Sequence, residues 1–104
     1  MSAPRQGDVF WANLDPAVGR EIRKRRPVLV VSPDEMNRSL ATVIAAPITT
    51  TIRAWPSRCP IRVGAKTSSV ALDRIRCLDV RRLVQHIARV DARPALRILQ
   101  DMFA

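Results

Sequence analysis

The side chains best suited to chemistry in this 104-residue chain are its arginines. Sixteen of the 18 basic residues are Arg, against two Lys (Lys24 and Lys66) and nine acidic residues, which gives a net charge of +9. A planar guanidinium can hold a phosphate through two parallel hydrogen bonds and can stack on a base, which a lysine cannot do. The excess predicts an acidic partner, with nucleic acid as the leading candidate. An acidic protein partner or a GC-rich genome would account for the same composition.

Residues used in nucleophilic or zinc catalysis are scarce in this sequence. His86 is the single histidine and lies in an apolar run, which predicts a half-buried strand position rather than a catalyst. Cys59 and Cys77 lie 18 residues apart with no second CxxC pair or clustered histidines, so they do not form a zinc motif. We expect two reduced thiols in or near the core.

The elements that must position these side chains are mostly β-strands. Short β-branched and apolar runs bounded by Pro, Gly, Asn or Asp predict strands at residues 8–14, 27–32, 42–48, 61–63, 69–78 and 83–90. The continuous apolar run 27–32 is typical of a strand covered on both faces. Trp11 lies in register with Val9 on the first strand and is predicted to belong to the core. Residues 34–39 form a short helical turn after Ser32-Pro33.

The C-terminal residues predict a helix of about three turns. Asp91 is suited to the N-cap, Pro94 is tolerated in the first turn, and Leu96, Leu99 and Phe103 share one face. Several short strands with one terminal helix indicate a small β-barrel, a single domain over residues 1–104. The N-terminus lacks the apolar segment of a signal peptide, and no apolar run approaches the roughly 20 residues that span a bilayer. We therefore expect a cytoplasmic protein with no membrane contact.

The stretch from residue 7 to residue 37 is far more specific than the rest of this pattern. It reads GDVFWANLDP at 7–16 and GREIRKRRPVLVVSPDEMN at 19–37, and the chain continues with APITTT at 46–51, WP at 55–56 and VALDRIRCLD at 70–79. This combination resembles the MazF/PemK family of toxins from toxin–antitoxin systems. The resemblance extends over nearly the whole chain.

The resemblance implies both a fold and an activity. The fold would be an SH3-like small β-barrel with a short C-terminal helix, mainly β (α+β), assembled as a homodimer. The activity would be that of a sequence-specific endoribonuclease that cuts single-stranded RNA, chiefly mRNA, by attack of the neighbouring 2′-OH and without a metal or other cofactor. The RNA would run along a groove at the dimer interface, and an acidic cognate antitoxin would neutralise the enzyme.

Three residues match the catalytic positions of the family. Arg26 precedes Pro27, which disfavours helix and holds Arg26 extended, so that its guanidinium can brace two phosphate oxygens. Thr49 would supply a hydroxyl to the same phosphate, although the TTT run also suits a strand edge. Glu21 is a candidate base or active-site organiser, with simple pairing to a neighbouring cation as the alternative.

Further residues are predicted to bind RNA. The basic run between the first two strands either grips phosphates as a flexible flap or is a solvated charge run. Trp55 either stacks on an unpaired base or caps the barrel or the dimer interface. Asp73 and Arg76 either read bases and order the site or form a structural ion pair. The full predicted RNA-binding set is Arg20, Arg23, Lys24, Arg25, Thr50, Trp55, Asp73 and Arg76.

The chain departs from the family pattern at four positions. Arg20 stands where the family has serine, and Ile22 and Arg74 stand where it has glutamine. These changes bear on base preference and loop conformation more than on the phosphate chemistry. Ala71 occupies the position where some relatives carry a catalytic arginine, so that variant mechanism is not expected.

Two other functions fit the same composition. A CcdB-like toxin shares the fold but binds DNA gyrase without catalysis. A non-catalytic RNA-binding module would retain RNA in a salt-sensitive manner and leave it intact. Substitution of Arg26 separates these alternatives, because only the endoribonuclease depends on that side chain for its effect.

Overall fold

The computed structural model describes residues 3–14 and 25–104. Within these ranges the chain forms seven strands, two α-helices and two short 3-10 turns at Leu72–Arg74 and Val80–Arg82. The strands and helices, in chain order, are β1 (Asp8–Asn13), β2 (Arg25–Val30), α1 (Asp34–Ser39), β3 (Thr42–Thr49), β4 (Arg58–Val63), β5 (Lys66–Ala71), β6 (Arg76–Asp79), β7 (Leu83–Arg89) and α2 (Arg93–Met102).

The strands form one curled antiparallel sheet in the order β4-β5-β3-β2-β1-β7, with β6 also paired to β3. One edge of β3 pairs with β2, and the other edge is divided between two strands. Residues 42–45 of β3 pair with β6, whereas Ile48 and Thr49 pair with β5. Because β4 and β5 continue from the far end of β3, the sheet curls into a half-barrel. The predicted mainly-β barrel with a C-terminal helix is confirmed.

One predicted strand is wrong in its extent. Residues 69–78 do not form a single strand, because the 3-10 turn Leu72–Arg74 separates β5 from β6. At this turn the chain leaves its pairing with β4 and the end of β3 and joins the beginning of β3. The side chain of Leu72 is fully buried, so the turn both changes the pairing and fills the core.

The apolar run of β2 is buried on both faces, as predicted. Leu29 and Val31 belong to a core cluster that also contains Ala95 of α2. Val28 and Val30 belong to a second cluster on the opposite face, which contains Leu78 of β6. A strand covered on both faces fixes its register strongly, because a one-residue slip would exchange the two sets of side chains.

The C-terminal helix differs from its prediction in two details. The N-cap residue is Ala92, although the Asp91 carboxylate still accepts a hydrogen bond from the backbone N–H of Arg93 at 3.0 Å. Leu96 and Leu99 pack against the core cluster, as predicted, but Phe103 follows the last helical residue and is exposed. No helix among the described residues is long and apolar enough to span a membrane.

Three predictions about single side chains have different outcomes. Trp11 is 39% exposed, so its assignment to the core was wrong: Val9 is buried, whereas Trp11 projects where the curled sheet opens into a cavity. Both cysteines are free, Cys59 in the core and Cys77 exposed on β6. His86 lies on β7, as predicted, but it is exposed rather than half-buried.

The sheet has two ends that differ in what they contain. At one end, here called the α1 end, Gly7 lies beside Val30, and Ser32 and Asn37 lead into and occupy α1. At the other end, here called the cavity end, Ala12 of β1 pairs with Arg26 of β2. Thr49 ends β3 on the same side, since β3 runs antiparallel to β2.

Candidate functional site

Arg26 and Thr49 lie side by side at the cavity end. Val28 pairs with Pro47 across β2 and β3, and continuing that register by two residues on each strand places Thr49 opposite Arg26. Cross-strand neighbours on one face have Cβ atoms about 4.5–5.5 Å apart. The two predicted catalytic side chains are therefore brought together by strand register, although 22 residues separate them in sequence.

Two cavities meet at this pair. The first cavity is lined mainly by apolar side chains, among them Trp11, Pro27, Ile48 and Ile87, with Lys66 at its edge. The second cavity is strongly basic. Arg26 and Thr49 line both cavities, and the arginines that line the second are Arg26, Arg53, Arg58, Arg74 and Arg76.

The second cavity has the electrostatic character of a polyanion site. Five guanidinium groups surround one concave surface, and none of the described residues that line it is acidic. Like charges held together in this way raise the local concentration of an anion and strengthen its binding. A phosphate placed beside Arg26 would meet the hydroxyl of Thr49 on one side and further arginines beyond it.

The hydroxyl of Thr49 is oriented by a backbone contact. Its Oγ1 accepts a hydrogen bond from the N–H of Thr51 at 3.1 Å. Because that contact uses an oxygen lone pair, the hydroxyl hydrogen remains available to donate. The TTT run thus both ends β3 and aims a donor toward the cavity.

The predicted RNA-binding residues that the structure describes are distributed over both cavities. Arg25 and Thr50 line the first cavity, and Trp55 and Arg76 line the second. Asp73 lies behind the second cavity rather than in it. Four predicted residues, Glu21 and the cationic Arg20, Arg23 and Lys24, lie outside the described residues.

Asp73 is engaged by the loop that precedes β4. Its Oδ1 accepts hydrogen bonds from Nε of Arg58 at 2.8 Å and from the hydroxyl of Ser57 at 3.0 Å. The hydrogen bond from Arg58 holds the pKa of Asp73 below its ordinary value. Asp73 therefore takes part in a structural ion pair, but its partner here is Arg58, whereas the predicted partner was Arg76. An acid held ionised by these donors is well suited to fixing a cation in place.

His86 takes part in a different contact, at the α1 end. Its Nε2 lies 3.1 Å from Oδ1 of Asp8, and its ring meets Phe10 edge to face. It lines neither of the two cavities. Among residues 3–14 and 25–104, no group of three or more His, Cys, Asp or Glu side chains could hold a metal ion.

Three residues at the cavities were missed by sequence reasoning. Arg53 and Arg58 flank Trp55 at a spacing of two and three residues, a pattern of cations around an aromatic that could have indicated a ring contact. Lys66 begins β5 and lines the first cavity. Nothing in its sequence context distinguishes Lys66 from an ordinary surface lysine.

Comparisons with known proteins agree on one family. Residues 5–102 match the family model described as PemK-like, MazF-like toxin of type II toxin-antitoxin system. The chain is 37% identical over 93 residues to endoribonuclease EndoA of Bacillus subtilis (strain 168), a match that covers 84% of the chain and 80% of that relative. It is 50% identical over 73 residues to endoribonuclease MazF6 of Mycobacterium tuberculosis (strain ATCC 25618 / H37Rv), covering 67% of the chain and 62% of that relative.

A solved structure shares nearly the whole fold. The crystal structure of MazE-MazF (Form-II) from Deinococcus radiodurans superposes with a TM-score of 0.80 and 28% sequence identity. The superposition covers 98% of this chain and 94% of that chain. The two chains therefore share one fold over nearly their whole length.

Proposed function

The chain belongs to the PemK-like, MazF-like toxin family of type II toxin–antitoxin systems, and on that premise we infer that it is an endoribonuclease toxin that cuts single-stranded RNA. Two relatives are named endoribonucleases, which favours cleavage over the CcdB-like binding of gyrase and over RNA binding without cleavage. The observation that carries the proposal is the pairing of Arg26 with Thr49 where a five-arginine cavity meets an apolar one.

The proposed reaction is attack of a ribose 2′-oxygen on the adjacent phosphorus. A bond forms from the 2′-oxygen to phosphorus, and the bond to the 5′-oxygen of the next nucleotide breaks. The 2′ proton passes to a base, and an acid donates a proton to the departing 5′-oxygen. The products are a 2′,3′-cyclic phosphate and a 5′-hydroxyl, and no water or redox partner is consumed. Charge accumulates on the non-bridging oxygens as the bond forms.

Arg26 and Thr49 are placed to bear that charge. The Arg26 guanidinium would donate to two non-bridging oxygens, and the Thr49 hydroxyl would donate to the same phosphate. Removing the charged donor Arg26 from such an oxyanion site should cost roughly 100- to 1000-fold in rate, and removing the hydroxyl of Thr49 should cost less. Glu21 is the proposed base or organiser, an assignment that depends on its match to the family motif. Because these side chains supply the charge stabilisation themselves, we expect cleavage to proceed without a metal ion.

The remaining predicted residues are proposed to hold the RNA on either side of the scissile phosphate. Arg76 acts in the second cavity, and Arg25 and Thr50 act in the first. The basic residues Arg20, Arg23 and Lys24, which precede Arg26 in the sequence, are proposed to contact further phosphates of the RNA. Binding of this kind is dominated by phosphate contacts and weakens steeply with salt.

An acidic antitoxin is the proposed protein partner. The net charge of +9 favours an acidic segment over the same cavities that attract RNA. The MazE-MazF structure from Deinococcus radiodurans, by its name, is that of such a family complex. We place this toxin and its antitoxin in the cytoplasm.

A homodimer is proposed as the active form. Trp11 and Val84 are large apolar side chains left 39% and 45% exposed, and they line one groove together with Arg25. A second copy would cover this surface and place two copies of Arg26 along one RNA path. Sedimentation as a monomer at micromolar concentration would remove this part of the proposal.

The direct test incubates purified protein with a long unstructured RNA in EDTA and maps the new 5′ ends. The wild type should make discrete cuts that disappear in Arg26→Ala and persist in Arg62→Ala, which removes the same charge from an exposed position outside both cavities. If both variants and the wild type leave RNA whole while the wild type still arrests growth, a binding toxin is the better account.

A further inference from the structure

The loop between β3 and β4 presents an aromatic ring beside two arginines. Trp55 is 49% exposed. The guanidinium carbon of Arg58 lies 4.7 Å from the ring centroid, and that of Arg53 lies 5.2 Å from it. Both distances are within the roughly 6 Å range of cation–π contacts. All three side chains line the second cavity, so the ring stands in the same concave surface as Arg26 and Thr49.

Arg58 is firmly anchored. Its side chain is only 7% exposed, and its Nε donates to Asp73 at 2.8 Å, while Ser57 donates to the same carboxylate oxygen. The backbone is closed as well, because the N–H of Arg58 donates to the carbonyl of Trp55 at 3.0 Å. The indole is therefore held by a short turn and by a buried cation that cannot easily move.

Arg53 is held in a different way. It is exposed, and its guanidinium makes a cation–π contact with the Trp55 ring. A guanidinium on an indole occupies the kind of surface on which a nucleobase stacks, since both are planar and both favour the electron-rich face. Arg53 is thus a replaceable occupant, whereas Arg58 is part of the support.

From this geometry, and resting on the proposed ribonuclease function, we propose that Trp55 is a stacking platform for one unpaired base next to the scissile phosphate and that Arg58 is its positioning residue. The incoming base displaces Arg53, which then donates to a neighbouring phosphate. Asp73 fixes Arg58 and acts on the RNA only through it.

This arrangement separates Asp73 from direct chemistry. Its carboxylate is occupied by Arg58 and Ser57, and Arg58 lowers its pKa. Because Oδ1 accepts from two donors and Oδ2 faces Nη2 of Arg58 at 3.5 Å, the carboxylate is a poor base for a 2′ proton. Trp55, by contrast, presents a flat surface that accepts any base, so the platform contributes affinity with little sequence preference.

The test pairs a protein variant with a modified RNA. The probe is a 2′-O-methyl oligonucleotide of a sequence cut by the wild type, with an abasic nucleotide placed at each position in turn, and binding is measured by fluorescence anisotropy. One abasic position should weaken wild-type binding by about 5- to 150-fold, which corresponds to about 1–3 kcal/mol for base–aromatic stacking at about 1.4 kcal/mol per tenfold. Trp55→Ala should weaken binding of the intact probe by a similar factor and should abolish the cost of that abasic position.

Conservative variants distinguish positioning from charge. Trp55→Phe should keep most of the binding, since it keeps a stacking face. Asp73→Asn and Arg58→Lys should each reduce the cost of the abasic position, because the ring is no longer fixed, while Arg62→Ala lowers overall affinity without changing that cost. In a Trp11→Phe background, RNA should quench the Trp55 fluorescence, and circular dichroism melts verify that each variant is folded.

The two proposals fail separately. A wild type that cuts RNA, together with an abasic cost equal in wild type and Trp55→Ala, would refute the platform and leave the ribonuclease intact. If the wild type cuts nothing, the unstructured RNA itself is the probe, and quenching that depends on Arg58 and Asp73 would still support the platform. An indole that neither quenches nor alters RNA affinity, and whose emission shifts with protein concentration, would assign the ring to a contact between copies.

Discussion

The two ends of the curled sheet use the same kind of strand for opposite purposes. At the α1 end, polar groups are buried and consumed by one another: Asn37 is 2% exposed, its Nδ2 donates to the carbonyls of Pro4 and Ser32, and its side chain also meets the Ser32 hydroxyl. At the cavity end, Arg26 and Thr49 line open cavities and keep donors available. The polar groups at the α1 end form hydrogen bonds within the fold, whereas those at the cavity end remain available to bind a ligand.

This difference explains why neighbouring sequence motifs have different meanings. The glycine of the GDVFW motif has φ +93°, and a Cβ there would lie 2.5 Å from the carbonyl oxygen of Val90. The Asn of SPDEMN ties α1 to the N-terminal segment and to the end of β2. Gly7 and Asn37 stabilise the scaffold, and neither residue lines the two cavities. The RP and TTT motifs, at the cavity end of β2 and β3, are the ones that we propose to bear the chemistry.

The largest effect expected from breaking one end alone is on the rate of cleavage. Arg26→Ala should lower the RNA cleavage rate by roughly 100- to 1000-fold, since it removes a charged donor from the developing oxyanion. Its thermal midpoint should stay near that of the wild type, because Arg26 is exposed at the start of β2. Parallel measurement of rate and melting is decisive, and a large drop in melting temperature would contradict the separation of the two ends.

The reciprocal change at the α1 end should affect stability without slowing the enzyme. Asn37→Ala removes the buried hydrogen bonds that Asn37 makes with the Ser32 hydroxyl and with two carbonyls, which should cost about 1–3 kcal/mol of unfolding free energy. For a domain of this size the melting temperature should fall by roughly 4–8 °C per kcal/mol. Well below that temperature, the cleavage rate per folded molecule should match the wild type. A slowed enzyme would show that the ends are coupled.

A fully buried strand was the most predictable part of this fold. The run 27–32 was predicted as a strand because an unbroken series of β-branched and apolar residues is stable only when both faces of the strand are covered. Arg26 lies directly before this run. Arg26 and Thr49 were predicted through a family pattern, and antiparallel register alone suffices to bring them together. Strand register is set by hydrophobic burial, which is readable in sequence.

Contacts that depend on the curvature of the sheet could not be predicted from the sequence. The turn at Leu72–Arg74 interrupts the stretch 69–78 that was predicted as a single strand, because β5 and β6 pair with different parts of β3. Trp11 was assigned to the core from its alternation with Val9, yet the curl of the sheet opens a cavity beside it. Arg58 was overlooked for a related reason: its partner Asp73 lies 15 residues away and meets it only because the sheet folds over.

A change in pH probes the α1 end more gently. Burial alone would raise the pKa of Asp8, but hydrogen bonds from the Arg5 N–H, His86 and Arg89 more than offset this and hold it below its ordinary value of 3.8. A carboxylate with a lowered pKa stabilises the fold above its ordinary pKa, and that contribution is lost as the pH falls through the folded-state pKa. Asp8→Asn should therefore be less stable than the wild type at pH 7, by about 1.5 kcal/mol or more.

The acid melt gives the sharper form of this prediction. The difference in unfolding free energy between wild type and Asp8→Asn should shrink as the pH falls below 3.8, the ordinary pKa at which the unfolded chain takes up the proton, and should be lost as the pH passes through the lower pKa of the folded state. Denaturant unfolding at fixed pH measures it. An unchanged difference at pH 3 would mean that shape rather than charge accounts for the role of Asp8.

The smallest expected effect is at Thr49, whose hydroxyl combines a structural hydrogen bond with a donor available to a ligand. Its Oγ1 accepts from the Thr51 N–H, which is a structural contact, and its hydrogen is free for phosphate, which is a functional one. Thr49→Val removes both, and Thr49→Ser restores both. Because a single neutral hydrogen bond is worth about 0.5–1.5 kcal/mol, Thr49→Val should slow cleavage by about 2- to 10-fold more than Thr49→Ser. If the two variants have the same melting temperature but differ in cleavage rate, the hydroxyl acts on the phosphate. If they differ in melting temperature and not in rate, Thr49 has a structural role, and Arg26 and the arginines around it stabilise the oxyanion without it.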